Sequence, residues 1–145
     1  MEQREATARM LPHSLEAEKS VLGGMLISRE AAELVCEALK PEDFYLPAHQ
    51  DIYTAMLQLY NRGNAVDSVT LIDVLEREGK LNAVGSVSYI TELSLFVPSA
   101  ANVSHYIRIV EDRSVMRQLI RAGTDIVQDA QTGERPVGDM LDDAE

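Results

Sequence analysis

The sequence predicts an all-α protein: a compact helical head followed by a helical hairpin truncated in its second arm. Three observations predict it. Apolar residues recur at three- and four-residue intervals in segment after segment. Ser, Asp or Pro stands at the start of these segments, and Gly or Pro just beyond their ends. No segment shows the clean alternation of a half-buried strand. Residues 86–97 are the most β-like stretch, and their spacing fits a helix equally well.

Residues 1–13 read as a flexible polar tail ending in Pro12-His13. Ser14 is the expected N-cap of a first helix, with Glu16 and Glu18 in the turn where the helix dipole favours acids. Leu15, Leu22, Met25 and Leu26 follow at helical spacing. Ser28 restarts the pattern for Ala31, Leu34, Val35, Ala38 and Leu39, which ends before Pro41. Pro41 to Leu46 is a short connector carrying Phe44 and Tyr45. Pro47 opens a third helix with Ile52, Tyr53, Met56, Leu57 and Tyr60 on one face, closed at Gly63. Asp67 or Ser68 caps a fourth, with Val69, Leu71, Ile72, Val74 and Leu75, closed by Gly79. Ser86 is the expected cap of a fifth, holding Val87, Tyr89, Ile90 and Leu93, and Pro98 follows it.

From Asn102 to Gln131 there is no Pro and one Gly. A single helix there exceeds the usual length of about 11–12 residues. Gly133 breaks it, Pro136 starts another at Val137, and the chain is expected to stop inside that second arm. The expected organisation is therefore tail 1–13, head 14–101 and hairpin 102–145. The Gly23-Gly24 pair falls in mid-helix, where each glycine costs about 1 kcal/mol relative to Ala. Close approach of another helix is the expected compensation.

The chain has 145 residues, 46% of them apolar, enough for one buried core. With 13 Lys and Arg against 24 Asp and Glu, the net charge is -11. That balance argues against gripping phosphate backbones, and 5% aromatic content with no Trp argues against stacking single strands. One cysteine, Cys36, excludes an internal disulfide or a Cys-based zinc site, and a reducing compartment suits it. No run of apolar residues is long enough to span a membrane, and the charged N-terminus lacks a signal-peptide core.

No catalytic constellation is legible. Gly79-Lys80 is followed by Leu81, and Val74 stands where a P-loop needs its first glycine. His13, His49 and His105 are scattered, and His49 and Asp51 fall on different helix faces, so no metal site is expected. Cys36 reads as a buried structural thiol. Catalytic, cofactor and metal residues are therefore expected to be absent. The long helix is more informative. Placed at 100° per residue, Ala122, Val115, Ile126, Leu119, Ala130, Gly123, Met116, Val127 and Ile120 fill an arc of roughly 160°. A surface helix needs an apolar arc of only about 100°. The second arm covers part of it; the remainder asks for the head or another molecule.

Several ordered motifs resemble the N-terminal domain of bacterial replicative DNA helicases of the DnaB family. They are Ser14 to Leu26 (SLEAEKSVLGGML), Pro41-Glu42-Asp43-Phe44-Tyr45, and His49-Gln50-Asp51-Ile52-Tyr53 with Ala55-Met56 and Leu59-Tyr60. Asp67 to Leu71, Pro98 to Asn102, Tyr106, Ile109-Val110 and Arg117-Gln118-Leu119-Ile120 continue in the same order. The resemblance covers about residues 12–145. It departs at Gly85-Ser86, where the family has two glycines.

The resemblance implies a non-catalytic domain whose hairpins pair between subunits to form a collar on a hexameric ring. It implies docking of the C-terminal helicase-binding domain of primase during DNA replication. ATP hydrolysis, ATP and Mg belong, by the same resemblance, to a RecA-like domain beyond this chain, in a protein of the bacterial cytoplasm. For hairpin pairing the expected residues are Val115, Met116, Leu119, Ile126 and Val127. For primase docking, at the head–hairpin junction, they are Glu16, Tyr89, Ile120 and Ile126. Ile126 stands in both sets, and one surface cannot serve both at once. A helical regulatory or DNA-binding domain unrelated to helicases is the alternative, with Arg113, Arg117 and Arg121 repeating every four residues as a phosphate-facing row. A helicase-binding fragment of primase is a third reading, disfavoured by head motifs that start near the N-terminus.

Overall fold

In a computed structural model, which describes residues 10–145, seven α-helices and one short 3-10 turn follow one another. They are α1 (Leu15–Ile27), α2 (Arg29–Ala38), the 3-10 turn (Pro41–Asp43), α3 (Pro47–Asn61), α4 (Ser68–Arg77), α5 (Ser86–Phe96), α6 (Val103–Thr132) and α7 (Val137–Ala144). The described residues contain no strand, as the helical spacing predicts. Residues 1–9 of the expected tail lie outside the described residues. The chain divides into a unit of residues 13–114 and a second unit of residues 115–145 with residues 10–12. α6 belongs to both.

In the first unit α1 is the central helix. Ala17, Val21, Leu22, Met25 and Leu26 are buried, and so are Glu18, Ser20, Gly23 and Gly24. A helix buried on all sides needs neighbours on all sides, and α1 packs against α2, α3 and α5. α3 carries Ile52, Tyr53, Ala55, Met56 and Leu59 into the core and packs on α4 and the 3-10 turn. Val103, Ile107 and Val110 of α6 complete the same cluster. Their spacing is four and three residues, one face of a helix.

The expected reason for Gly23 is present. A Cβ there would stand 2.3 Å from the Leu93 carbonyl oxygen of α5, well inside carbon–oxygen contact distance. Gly23 therefore lets the α5 backbone press on α1, and the packing offsets its cost in helix propensity.

The caps follow the sequence with one correction. The Ala17 N–H donates to Ser14 Oγ at 3.2 Å, and the Ala31 N–H to Ser28 Oγ at 3.2 Å. Asp67, not Ser68, caps α4, accepting from the Thr70 N–H at 2.9 Å. α3 and α4 close with the paired bonds of the Schellman motif: Asn64 N–H to Leu59 O and Gly63 N–H to Tyr60 O, then Lys80 N–H to Leu75 O and Gly79 N–H to Glu76 O. Ser86, however, does not cap α5. The cap position is Gly85, at φ 109°, and the Ser86 hydroxyl turns back to Asn82 Oδ1. The turn into α5 needs a left-handed backbone, so glycine takes the place that capping preference assigns to serine.

Periodicity also over-assigns the core at helix margins. Leu34, Val69 and Val87 are exposed, Val69 to 78%. Each lies on an outward face of a short helix whose buried stripe is only three or so residues wide. Leu57 and Tyr60 are half-buried. Cys36 is half-buried too, rather than fully.

In the second unit the turn between α6 and α7 is held by one side chain. Arg135 Nη1 donates to Asp129 Oδ2 at 2.6 Å, and Nη2 donates to Asp143. Asp129 closes α6, accepting from Gly133 N–H through its carbonyl at 3.1 Å. Ala122, Ile126, Met140 and Asp143 line a shallow cleft between the two helices. No helix among the described residues is long and apolar enough to cross a membrane.

Candidate functional site

Two sets of side chains stand out, one in each unit. In the first unit a polar network is buried inside the head. Glu18 of α1 is 2% exposed and His49 of α3 is fully buried. Glu18 Oε1 lies 2.8 Å from His49 Nδ1, and Oε2 accepts from the Tyr45 N–H at 2.8 Å. His49 Nε2 lies 2.6 Å from the Tyr89 hydroxyl of α5. A buried carboxylate is costly unless every lone pair is used, and no buried side-chain N or O among the described residues lacks a partner.

Tyr89 is half-buried and bridges this network to the surface. Burial first, then the nearby Glu92 and Glu18, raise its hydroxyl above the ordinary tyrosine range. Its ring stacks on that of His49, with centroids 5.9 Å apart at 14°. Lys19 Nζ sits 5.9 Å from the Tyr89 ring and 5.5 Å from the Phe96 ring, within reach of a cation–π attraction. Glu16, one turn earlier on α1, is exposed.

This network was not legible from the sequence. Glu18 carries the pattern of a dipole-favoured first-turn acid and His49 that of an isolated histidine. They are 31 residues apart and Tyr89 is 40 further on, so only tertiary packing joins them. The one available signal is that Glu18 and His49 both lie within family-like motifs.

In the second unit the apolar arc of α6 is uncovered. Val115, Met116, Leu119, Ile120, Ile126 and Val127 are all exposed, Leu119 to 67%, and so are Val137 and Leu141 of α7. The short second arm leaves most of the arc open. Large contiguous apolar patches are uncommon on monomeric soluble proteins. The cationic row expected of a DNA-binding alternative is broken: Arg117 is 3% exposed and donates to the Pro12 carbonyl at 2.8 Å.

Cys36 shows no sign of nucleophilic use. Burial pushes its thiol up to about 11, against a lowering hydrogen bond with Tyr53, and Glu37 adds to the rise. That is the opposite of an activated cysteine. Among the described residues no group of three His, Cys, Asp or Glu could hold a metal ion.

Fold and surfaces together define a class: an all-α domain with a buried polar network in its head and a row of exposed apolar residues along one long helix. Relatives give the family. The chain belongs to the DnaB-like helicase N-terminal domain family, which matches residues 10–112. It is 45% identical over 137 residues to the replicative DNA helicase DnaC of Bacillus subtilis, and 47% identical over 137 residues to the replicative DNA helicase DnaB of Geobacillus stearothermophilus. Each match covers 94% of this chain and 30% of the relative, so the chain spans less than a third of their length. The crystal structure of the N-terminal domain of DnaB helicase from Mycobacterium tuberculosis superposes with a TM-score of 0.89 at 44% identity. It covers 93% of this chain and 95% of that one. The structure of a DnaB-like replicative helicase and its interactions with primase matches with a TM-score of 0.73 at 28% identity, over 91% of this chain and 32% of that chain.

Proposed function

We propose that this chain is the N-terminal interaction domain of a hexameric replicative DNA helicase of the bacterial cytoplasm. Its α6–α7 hairpins pair between copies, the paired domains form a collar on the ring, and the C-terminal domain of primase docks on them during DNA replication. The observation that carries this reading is the row of exposed apolar side chains on α6 and α7. A net charge of -11 and the buried Arg117 fit a domain that meets proteins rather than phosphates.

Val115, Met116, Leu119, Ile126 and Val127 are the proposed pairing residues. Glu16, Tyr89, Ile120 and Ile126 are the proposed docking residues; if both contacts form in one assembly, Ile126 serves only one of them. The chain has no P-loop, so ATP and Mg are assigned to the part of the helicase relatives that it does not span. Residues 14–101 act as the head and 102–145 as the pairing hairpin.

Sedimentation of the chain at about 100 micromolar tests the pairing. Dimers or larger species are expected, and Leu119→Asp or Ile126→Asp is expected to give monomers with unchanged helicity. A wild-type monomer, also in a chain extended past Glu145, would overturn pairing. A pull-down with the C-terminal domain of primase tests docking, and failure to retain it would remove that half of the reading.

A further inference from the structure

The Tyr89 hydroxyl meets a buried histidine, while Tyr89 itself is only half-buried. We propose that His49, held by Glu18, is a positioning residue for docking: it fixes the Tyr89 phenol in one orientation, so that a partner protein meets a pre-set aromatic edge. The inference rests on the docking reading above and deepens it.

The Glu18 carboxylate accepts from the Tyr45 N–H on Oε2 and faces His49 Nδ1 with Oε1. In a neutral imidazole, an acceptor at that place puts the ring proton on Nδ1 and leaves the lone pair on Nε2. The Tyr89 hydroxyl then donates to Nε2. Its single proton is used inside the protein, so the partner is offered the ring and the oxygen lone pairs, and no free donor.

Orientation is fixed from two sides. The His49 ring lies 14° from parallel to the Tyr89 ring, and Lys19 stands between the Tyr89 and Phe96 rings. Gly85 allows this placement, since a Cβ there would come within 2.7 Å of Tyr89 Cβ. A side chain already immobilised in the free protein is not charged its ordering entropy on binding. Such pre-organisation is worth about three- to tenfold in affinity.

The test combines a binding cycle with a spectroscopic readout on the 145-residue chain. The C-terminal domain of the cognate primase is titrated into wild type, Tyr89→Phe, Tyr89→Ala, Ile120→Asp, His49→Gln, His49→Leu and the double variant His49→Leu/Tyr89→Phe. Tyr89→Phe keeps the ring and is expected to weaken binding about three- to tenfold. His49→Leu should weaken it equally, His49→Gln, which keeps an acceptor, should retain most of it, and the double variant should be no weaker than either single one. Imidazole nitrogen shifts should place the His49 proton on Nδ1. Additive losses, wild-type binding by His49→Leu beside weak binding by Tyr89→Ala, or a proton on Nε2 would each overturn the positioning role. If His49→Leu does not fold, Tyr89→Phe and the nitrogen shifts decide. If Tyr89→Ala and Ile120→Asp both bind as wild type does, the docking reading itself falls and this inference falls with it.

Discussion

The two units carry apolar residues at the same helical spacing and treat them in opposite ways. In residues 13–114 the stripes of α1, α3 and the start of α6 close on one another, and Val21, Leu22, Met25, Ile52 and Met56 are fully buried. In residues 115–145 a second apolar stripe, on the side of α6 opposite Val103, Ile107 and Val110, runs through Val115, Leu119, Ile126 and Val127 and stays exposed. The difference lies in neighbours. α1 has helices on several sides, whereas the last turns of α6 have the eight residues of α7. A helical pattern tells which face is apolar; the number of elements around it decides whether that face is covered by the same chain.

Substitutions should therefore change stability in the first unit and association in the second. The largest expected effect is Gly23→Val, which drives a branched side chain into the Leu93 carbonyl of α5. A loss of about 3 kcal/mol or more is expected in urea unfolding; a variant as stable as wild type would show that α1 and α5 do not meet so closely. Tyr53→Phe comes next. The Tyr53 hydroxyl donates to the Leu39 carbonyl at 2.7 Å and the Val35 carbonyl at 3.1 Å, closing the C-terminal turn of α2. Its removal takes this donor from the Leu39 carbonyl, while Val35 keeps its bond from the Leu39 N–H, and is expected to cost about 1–3 kcal/mol in the same assay.

Cys36 gives a pH-dependent prediction. Its thiol is raised from 9.0 in the unfolded chain to about 11 in the fold, chiefly by burial. The folded form thus holds its proton more tightly, so the contribution is complete below pH 9 and is lost as pH rises from about 9 towards about 11. Thermal melting across that window should show wild type losing ground to Cys36→Ala; a constant gap would contradict the assignment. The smallest expected stability effect is Leu119→Asp. Leu119 is exposed, so monomer stability should stay within about 0.5 kcal/mol of wild type. A large loss in the monomer would mean that the second unit covers its own apolar face after all.

The all-α class, the seven helices and most of their caps were legible, because caps and period act locally. Ser14, Ser28 and Asp67 cap as their chemistry dictates. Ser86 does not cap as its chemistry suggests, because a left-handed turn at Gly85 overrides capping preference. Leu34, Val69 and Val87 were misread because a stripe's width is set by neighbours and not by the helix itself. Of the candidate surfaces, the α6 arc was legible for the same reason as the helices: it is a property of one element. The Glu18–His49–Tyr89 network was not, since its members come from three helices and none is unusual within its own.

Hydrogen exchange along the chain, measured at low and at high protein concentration, tests the contrast between the units most directly. Amides of residues 115–130 should gain protection as concentration rises, while those of residues 17–26 in α1 should be protected equally at both. Protection of residues 115–130 that does not change with concentration, in a chain that remains monomeric, would contradict the account.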